Sequence, residues 1–175
     1  ARFAEYVEIV DRLLSNEVSS FDGEFYQVKD AVMNPRPVQS PRPPIVIAAL
    51  RPMMLRHAAK YADNWNSLSF AESFEEQLAE TRERAARMDD NLAAIGREPA
   101  ELRRSYQMYD PSSRASGGAV SYYQSTNLFI DMAESLIEAG MSELGLYYPT
   151  LEEQYPAFET IAQEVIPDLK KCHAG

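Results

Sequence analysis

Apolar positions recur at helical spacing at the start of the chain. Phe3, Tyr6, Val7, Ile9, Val10, Leu13 and Leu14 are interleaved with Arg2, Glu5, Glu8, Asp11 and Arg12. That periodicity predicts an amphipathic helix. No capping residue stands ahead of Phe3, so the chain opens inside a helix, and the expectation is that something upstream is missing. Phe21 to Val28 reads as a small hairpin turning at Asp22-Gly23. Met33 to Pro44 holds five prolines. These exclude helix and central strand and predict an extended run over the surface. It leads into Ile45-Val46-Ile47-Ala48-Ala49, a short apolar run expected of a strand buried on both faces.

From there strands and helices alternate. Pro52 suits the first turn of a helix that continues to Ala62. Asn64 to Leu68 is a second strand. Ser69 and Glu72 have capping-box spacing and predict a long helix through about Ile95, ended by Gly96. Arg104 to Tyr109 is a third strand, followed by a polar loop from Asp110 to Gly118. Val120 to Ala139 is mostly helix, closed by Gly140. Leu144 to Tyr148 is a fourth strand, and Thr150 with Glu153 repeats the capping box ahead of a helix toward Val165. Four such units imply an α/β fold, a parallel sheet covered by helices with right-handed crossovers. A doubly wound open sheet is the competing architecture, but its usual glycine-rich first turn is missing from Ala48-Ala49-Leu50-Arg51-Pro52. A complete (β/α)8 barrel takes about 250 residues. The 175 residues make one domain, too short for a whole barrel.

Composition narrows the function classes. Hydrophobic residues at 45% and charged residues at 25% exclude wholesale disorder. Acidic residues outnumber basic ones 27 to 17, a net charge of -10. Such a surface repels phosphate backbones and anionic membranes, so neither nucleic acid nor membrane is an expected partner. One cysteine, Cys172, and two histidines, His57 and His173, are too few for a disulfide, a zinc cage or a histidine metal site. No apolar run approaches the roughly 20 residues of a membrane helix, and the first residues lack a signal-peptide pattern. A cytoplasmic location is the expectation. No Ser-His-Asp set or paired-carboxylate signature emerges, so the sequence assigns no catalytic residue.

Four stretches carry a resemblance. They are Phe21-Asp22-Gly23-Glu24-Phe25-Tyr26, the run from Asn34 to Ile45, Ala48 to Leu55, and Ala58 to Asn66. In this order and spacing they resemble the luciferase-like monooxygenase family, from Ala1 to about Val165. The resemblance covers only that family's C-terminal half. It implies a partial (β/α)8 TIM barrel holding the fifth to eighth strands, preceded by a helix and a hairpin. It also implies a flavin-dependent oxidoreductase or monooxygenase, using FMN with oxygen or passing a hydride through an 8-hydroxy-5-deazaflavin coenzyme. A small organic substrate would complete the reaction. Four strands cannot close a barrel and leave two open edges, so a homo-oligomer or a second chain completing the barrel is expected. The alternative is a non-catalytic half-barrel that binds a phosphate-bearing ligand weakly or serves as an assembly partner.

The C-terminal ends of parallel strands select the candidate site. Ala48, Ala49, Leu50, Arg51, Pro52 and Met53 form the first cluster. Small residues there admit a ligand to the backbone, and the helix N-terminus offers amides to a phosphate, with Arg51 adding charge. By resemblance this segment touches the cofactor's ribityl-phosphate arm, where the family often carries glycine in place of Leu50 or Arg51. Trp65 and Asn66 form a second cluster: the ring can wall a pocket or pack in the core, and both readings stand. Tyr109 and Asp110 lead into a loop in which Arg114 can meet an anionic substrate, unless the loop is plain surface. Tyr147 is the fourth candidate for the substrate pocket. His57 reads as structural, and Cys172 and His173 as a tail after Pro167.

Overall fold

A computed structural model describes residues 1–173. Helix α1 (Arg2–Ser15) is followed by β1 (Ser19–Asp22) and β2 (Gln27–Ala31), an antiparallel hairpin. The connection is longer than a two-residue turn, and α1 holds it: the Glu5 carboxylate accepts hydrogen bonds from the amides of Glu24, Phe25 and Tyr26 at 2.9–3.0 Å. The proline-rich run carries no helix or strand. Arg42 fastens it by donating to Asp11 of α1 and, at 2.6 Å, to Asp63.

The chain then lays down β3 (Val46–Ala48), β4 (Asn64–Ser67), β5 (Arg103–Gln107) and β6 (Glu143–Gly145). They pair in parallel and in sequence order, with helices α2 (Pro52–Tyr61), α3 (Phe74–Ala94) and α4 (Thr126–Glu138) in the connections. The register sorts side chains into two faces. Ile47, Trp65 and Arg104 align, as do Ser67, Tyr106 and Leu144. This side meets the helices, whose buried Leu55, Ala58, Met88, Leu92, Phe129 and Leu136 complete the core. The opposite rows run Val46, Asn64, Arg103 and Ala48, Asn66, Ser105, Glu143. They are mostly polar and knit together: Asn64 Nδ2 donates to Glu143 at 2.7 Å, Asn66 to Ser105 at 2.9 Å, and Arg103 to Glu143 at 3.1 Å. The apolar run at β3 is therefore not buried on both faces. Val46 is 56% exposed, because none of the described elements covers that side of the strand.

Helix starts also depart from expectation. Ser73 with Glu76, not Ser69 with Glu72, forms the capping box of α3. Ser69 is buried and donates instead to Glu80 at 2.8 Å. A short 3-10 turn (Ser121–Tyr123) precedes α4, which is capped by Ser125. Thr150 caps nothing. The last segment winds through a 3-10 turn (Glu152–Gln154), α5 (Tyr155–Thr160), a π-turn (Ile161–Val165) and α6 (Ile166–Cys172). Pro167 lacks an amide and breaks a helix interior, and the π-turn lets the chain continue past it. Cys172 thus ends a helix rather than lying in a tail. Among the described residues no helix is long and apolar enough to cross a membrane, and no group of acidic, histidine or cysteine side chains could hold a metal ion.

Candidate functional site

Four strand ends open on one rim. At the end of β3, both backbone groups of Ala49 are held by β4. Its amide donates to Asn66 O at 3.0 Å, and its carbonyl accepts from Trp65 Nε1 at 2.9 Å. The chain then turns through Leu50 to Arg51, the N-cap of α2, with Pro52 in the first turn. No side chain caps this helix, whereas Ser73 and Ser125 cap α3 and α4. The first-turn amides of α2 thus keep free donors and the positive end of the helix dipole. Beside them lies a depression of about 260 Å³ walled by Arg51, Arg84 and Arg87 and by Glu80 and Glu83. Arg84 is committed to Glu80 at 2.6 Å and to Leu68 O at 2.7 Å, and Arg87 to Glu83 at 3.0 Å. Arg51 is exposed at its mouth. The Glu80 carboxyl is held below its ordinary range, chiefly by the Ser69 hydroxyl and, against the opposing effect of burial, by Arg84 and Arg51.

Trp65 is fully buried on the helix side of the sheet. It lines none of the five cavities found on the described residues, and its burial agrees with the packing reading. Its indole instead positions the Ala49 carbonyl. Asn66 lies in the open row.

Beyond β5, Asp110 is buried and fully engaged. Its carboxylate accepts from Ser112 N at 2.9 Å, Ser112 Oγ at 2.6 Å and Ser121 N at 2.6 Å. Burial raises the carboxyl's pKa, but these donors outweigh it and hold the group below its ordinary value. Asp110 therefore closes the loop on itself. Arg114 sits exposed on the 3-10 turn Pro111–Arg114 and does not line the cavity of about 270 Å³ that Tyr109 and Asp110 line between α3 and α4.

Tyr109 and Tyr147 do come together, and a third ring, Phe70, joins them at Tyr109. The Phe70 and Tyr109 rings meet edge to face at 5.4 Å, and the Tyr109 and Tyr147 rings at 6.5 Å. Phe70 is 66% exposed and Tyr147 42%. Two buried tyrosines hold Tyr147 from behind: Tyr123 Oη donates to its carbonyl at 2.6 Å, and its amide donates to Tyr122 Oη at 3.0 Å. Burial pushes the Tyr123 phenol up to about 12 and Tyr122 higher still, so Tyr123 keeps the proton that its bond to the Tyr147 carbonyl requires. Phe70 lies three residues past the end of β4, where strand alternation no longer assigns a face.

The sequence pattern of the luciferase-like monooxygenases matches residues 1–132. An F420-dependent glucose-6-phosphate dehydrogenase from Tsukamurella paurometabola is 41% identical over 66 residues, 36% of this chain and 18% of its own length. The coenzyme F420-dependent tetrahydromethanopterin reductase of Methanopyrus kandleri superposes with a TM-score of 0.71 at 15% identity, covering 94% of this chain and 63% of that one. Monooxygenase RslO1 from Streptomyces bottropensis superposes with a TM-score of 0.66 at 20% identity, over 96% of this chain and 61% of that one. The chain spans less than two thirds of the length of each of these relatives. The match over residues 1–132 covers well over half of the sequence and agrees with the parallel half-sheet and its C-terminal rim: the chain belongs to the luciferase-like monooxygenase family.

Proposed function

We propose that the chain supplies the cofactor-phosphate end and one rim wall of an oxidoreductase that uses FMN or an 8-hydroxy-5-deazaflavin coenzyme. The observation that carries this reading is the uncapped N-terminus of α2, with Arg51 exposed at the end of β3. Amides at a helix start and a guanidinium together suit a phosphate dianion. Ala48 and Ala49 keep bulk away from the turn, and Trp65 fixes its carbonyl. Arg51 stands where the family often has glycine, so here a side-chain charge supplements a less closely approached backbone. When bound, the cofactor supplies the redox chemistry, and the protein's part is to hold and orient it and to exclude water. The F420 dependence of two relatives favours the deazaflavin. FMN and the deazaflavin coenzyme titrated against the chain and its Arg51→Ala variant test the site. Binding should be saturable, displaced by inorganic phosphate, and about tenfold weaker in the variant. Equal affinity of variant and parent would overturn it.

A second reading, assembly into a larger barrel with a second copy or another chain, is favoured by the open outer edges of β3 and β6. Each edge adjoins an apolar groove, one of about 290 Å³ beside Phe3, Tyr6, Val46 and Met54 and one of about 780 Å³ beside Ile137, Leu144, Ile166 and Leu169. Sedimentation of the chain at micromolar concentration as a clean monomer would remove self-association from consideration.

A further inference from the structure

We infer that Phe70, Tyr109 and Tyr147 form a receiving surface for a flat, conjugated, uncharged ring. As the substrate wall of an oxidoreductase this deepens the proposed function and rests on it; as a binding surface it stands on its own geometry.

The three side chains come from three successive strand ends, after β4, β5 and β6. Each touches the next, at 5.4 Å and 6.5 Å with interplanar angles of 70° and 63°. Edge-to-face packing uses the edge of one ring and the face of its neighbour and leaves the remaining faces free for another π-system. Phe70 is largely exposed and Tyr147 partly so, and apolar ring surface of this extent gains from being covered. The arc is also held in place. Tyr122 and Tyr123 bind both backbone groups of Tyr147, and Gln77 Nε2 reaches the Tyr109 carbonyl at 3.4 Å. Rigid aromatic anchors of this kind lose little entropy on binding.

The chemistry selects the ligand. None of the three rings carries a charge, and the neighbouring carboxylate, Asp110, already accepts three hydrogen bonds. With a chain charge of -10, an anionic ring gains no counter-ion there. A conjugated ring gains over a saturated one of equal size through the ring quadrupoles, about 2- to 10-fold in affinity per well-formed pair. A flat ring could belong to the substrate or to the ring end of the cofactor.

The test is an aromatic proton–carbon NMR titration of the isotope-labelled chain with 2-naphthol and with its saturated analogue decahydro-2-naphthol. The expected result is saturable shifts of the Phe70, Tyr109 and Tyr147 ring signals by 2-naphthol, and binding of the saturated analogue at least fivefold weaker. The double variant Phe70→Ala/Tyr147→Ala should lose tenfold or more in 2-naphthol affinity while its circular dichroism and Trp65 emission stay those of the parent. Displacement of 2-naphthol by lumiflavin, which has no phosphate, would assign the surface to the cofactor ring; its failure to displace would assign it to the substrate. Equal binding of the two naphthols, shifts confined to other rings, or an unchanged double variant would overturn the inference. Arg51→Ala should leave 2-naphthol binding intact. A chain that binds 2-naphthol but not FMN keeps this surface and loses the phosphate site.

Discussion

Replacing Trp65 by Phe separates its two roles, wall and strut. The indole is fully buried, and its Nε1 donates to the Ala49 carbonyl at 2.9 Å. Phenylalanine keeps most of the ring but strands that carbonyl, which costs about 1–3 kcal/mol when a buried acceptor loses its donor. The lost ring volume adds transfer and cavity terms of about 1 kcal/mol. Together the loss is roughly 2–4 kcal/mol, a large share of a typical domain stability of about 5–15 kcal/mol. Urea unfolding followed by far-UV circular dichroism should show a lower midpoint at unchanged slope, because surface exposed on unfolding hardly changes. FMN or deazaflavin binding should weaken as well, since Ala49 leads directly into Leu50 and Arg51, whereas 2-naphthol binding should stay within twofold. A loss of stability below about 1 kcal/mol would refute the strut, because a stranded buried carbonyl alone exceeds it. A tenfold loss of 2-naphthol affinity with stability intact would return Trp65 to the pocket.

Other perturbations follow from the same structure. Glu5→Ala frees the amides of Glu24, Phe25 and Tyr26, so their hydrogen exchange should speed up by tenfold or more, with the parallel sheet unaffected; unchanged exchange would show that the hairpin does not depend on α1. Asp63, despite the upward push of burial, is held below its ordinary range by Arg42 and by the Ile45 amide, and Asp110 by Ser112 and Ser121. Folded-state values below the unfolded one mean that both contribute fully above the unfolded carboxyl pKa of about 3.9 and lose that contribution as pH falls through the folded values. The urea midpoint should therefore be flat above about pH 5 and drop on acidification, and the drop should be shallower in Asp63→Asn. Gly118 sits at φ +103° against Thr150 Oγ1, so Gly118→Ala should cost about 1–3 kcal/mol in thermal unfolding; an unchanged melting temperature would show that the loop relaxes freely.

The parallel architecture was legible because its signals are local and repeated. A wholly apolar β3, Pro52 in the first turn of a helix and Gly96 and Gly140 closing two others each mark an element without reference to the rest. Capping was less legible. Ser69-Glu72 and Ser73-Glu76 have the same spacing, and only the tertiary bond from Ser69 to Glu80 decides between them. The site divides similarly. The uncapped turn at Arg51 could be read from Pro52 and the lack of a capping side chain, and Tyr109 and Tyr147 from their places at strand ends. Trp65 could not be assigned, because a lone tryptophan at a strand end faces helix or barrel according to a one-residue register. Asp110 looked like a polar group free for a ligand, yet the donors that consume it at Ser112 and Ser121 are set by the loop's path. Phe70 carried no such signal, because it lies in the irregular stretch beyond β4, where neither period-2 alternation nor a cap marks its direction.

The open face of the sheet constrains whatever closes over it. Its lower rows carry two hydrogen-bonded sets, Asn64–Glu143–Arg103 and Asn66–Ser105, and Asn64 Oδ1 is buried without a partner in the protein. A purely apolar cover would desolvate the half-exposed Arg103–Glu143 pair, at a cost that apolar contact at roughly 25 cal/mol per Å² would have to overcome. A cover that brings water or polar groups to Arg103 and Glu143 avoids that cost. The rim above has the opposite preference, since Phe70 and Tyr147 expose rings that gain from being covered by apolar or aromatic surface. The face therefore favours an occupant that is polar below and aromatic above, with β4, β5 and β6 tied together by the polar side chains beneath.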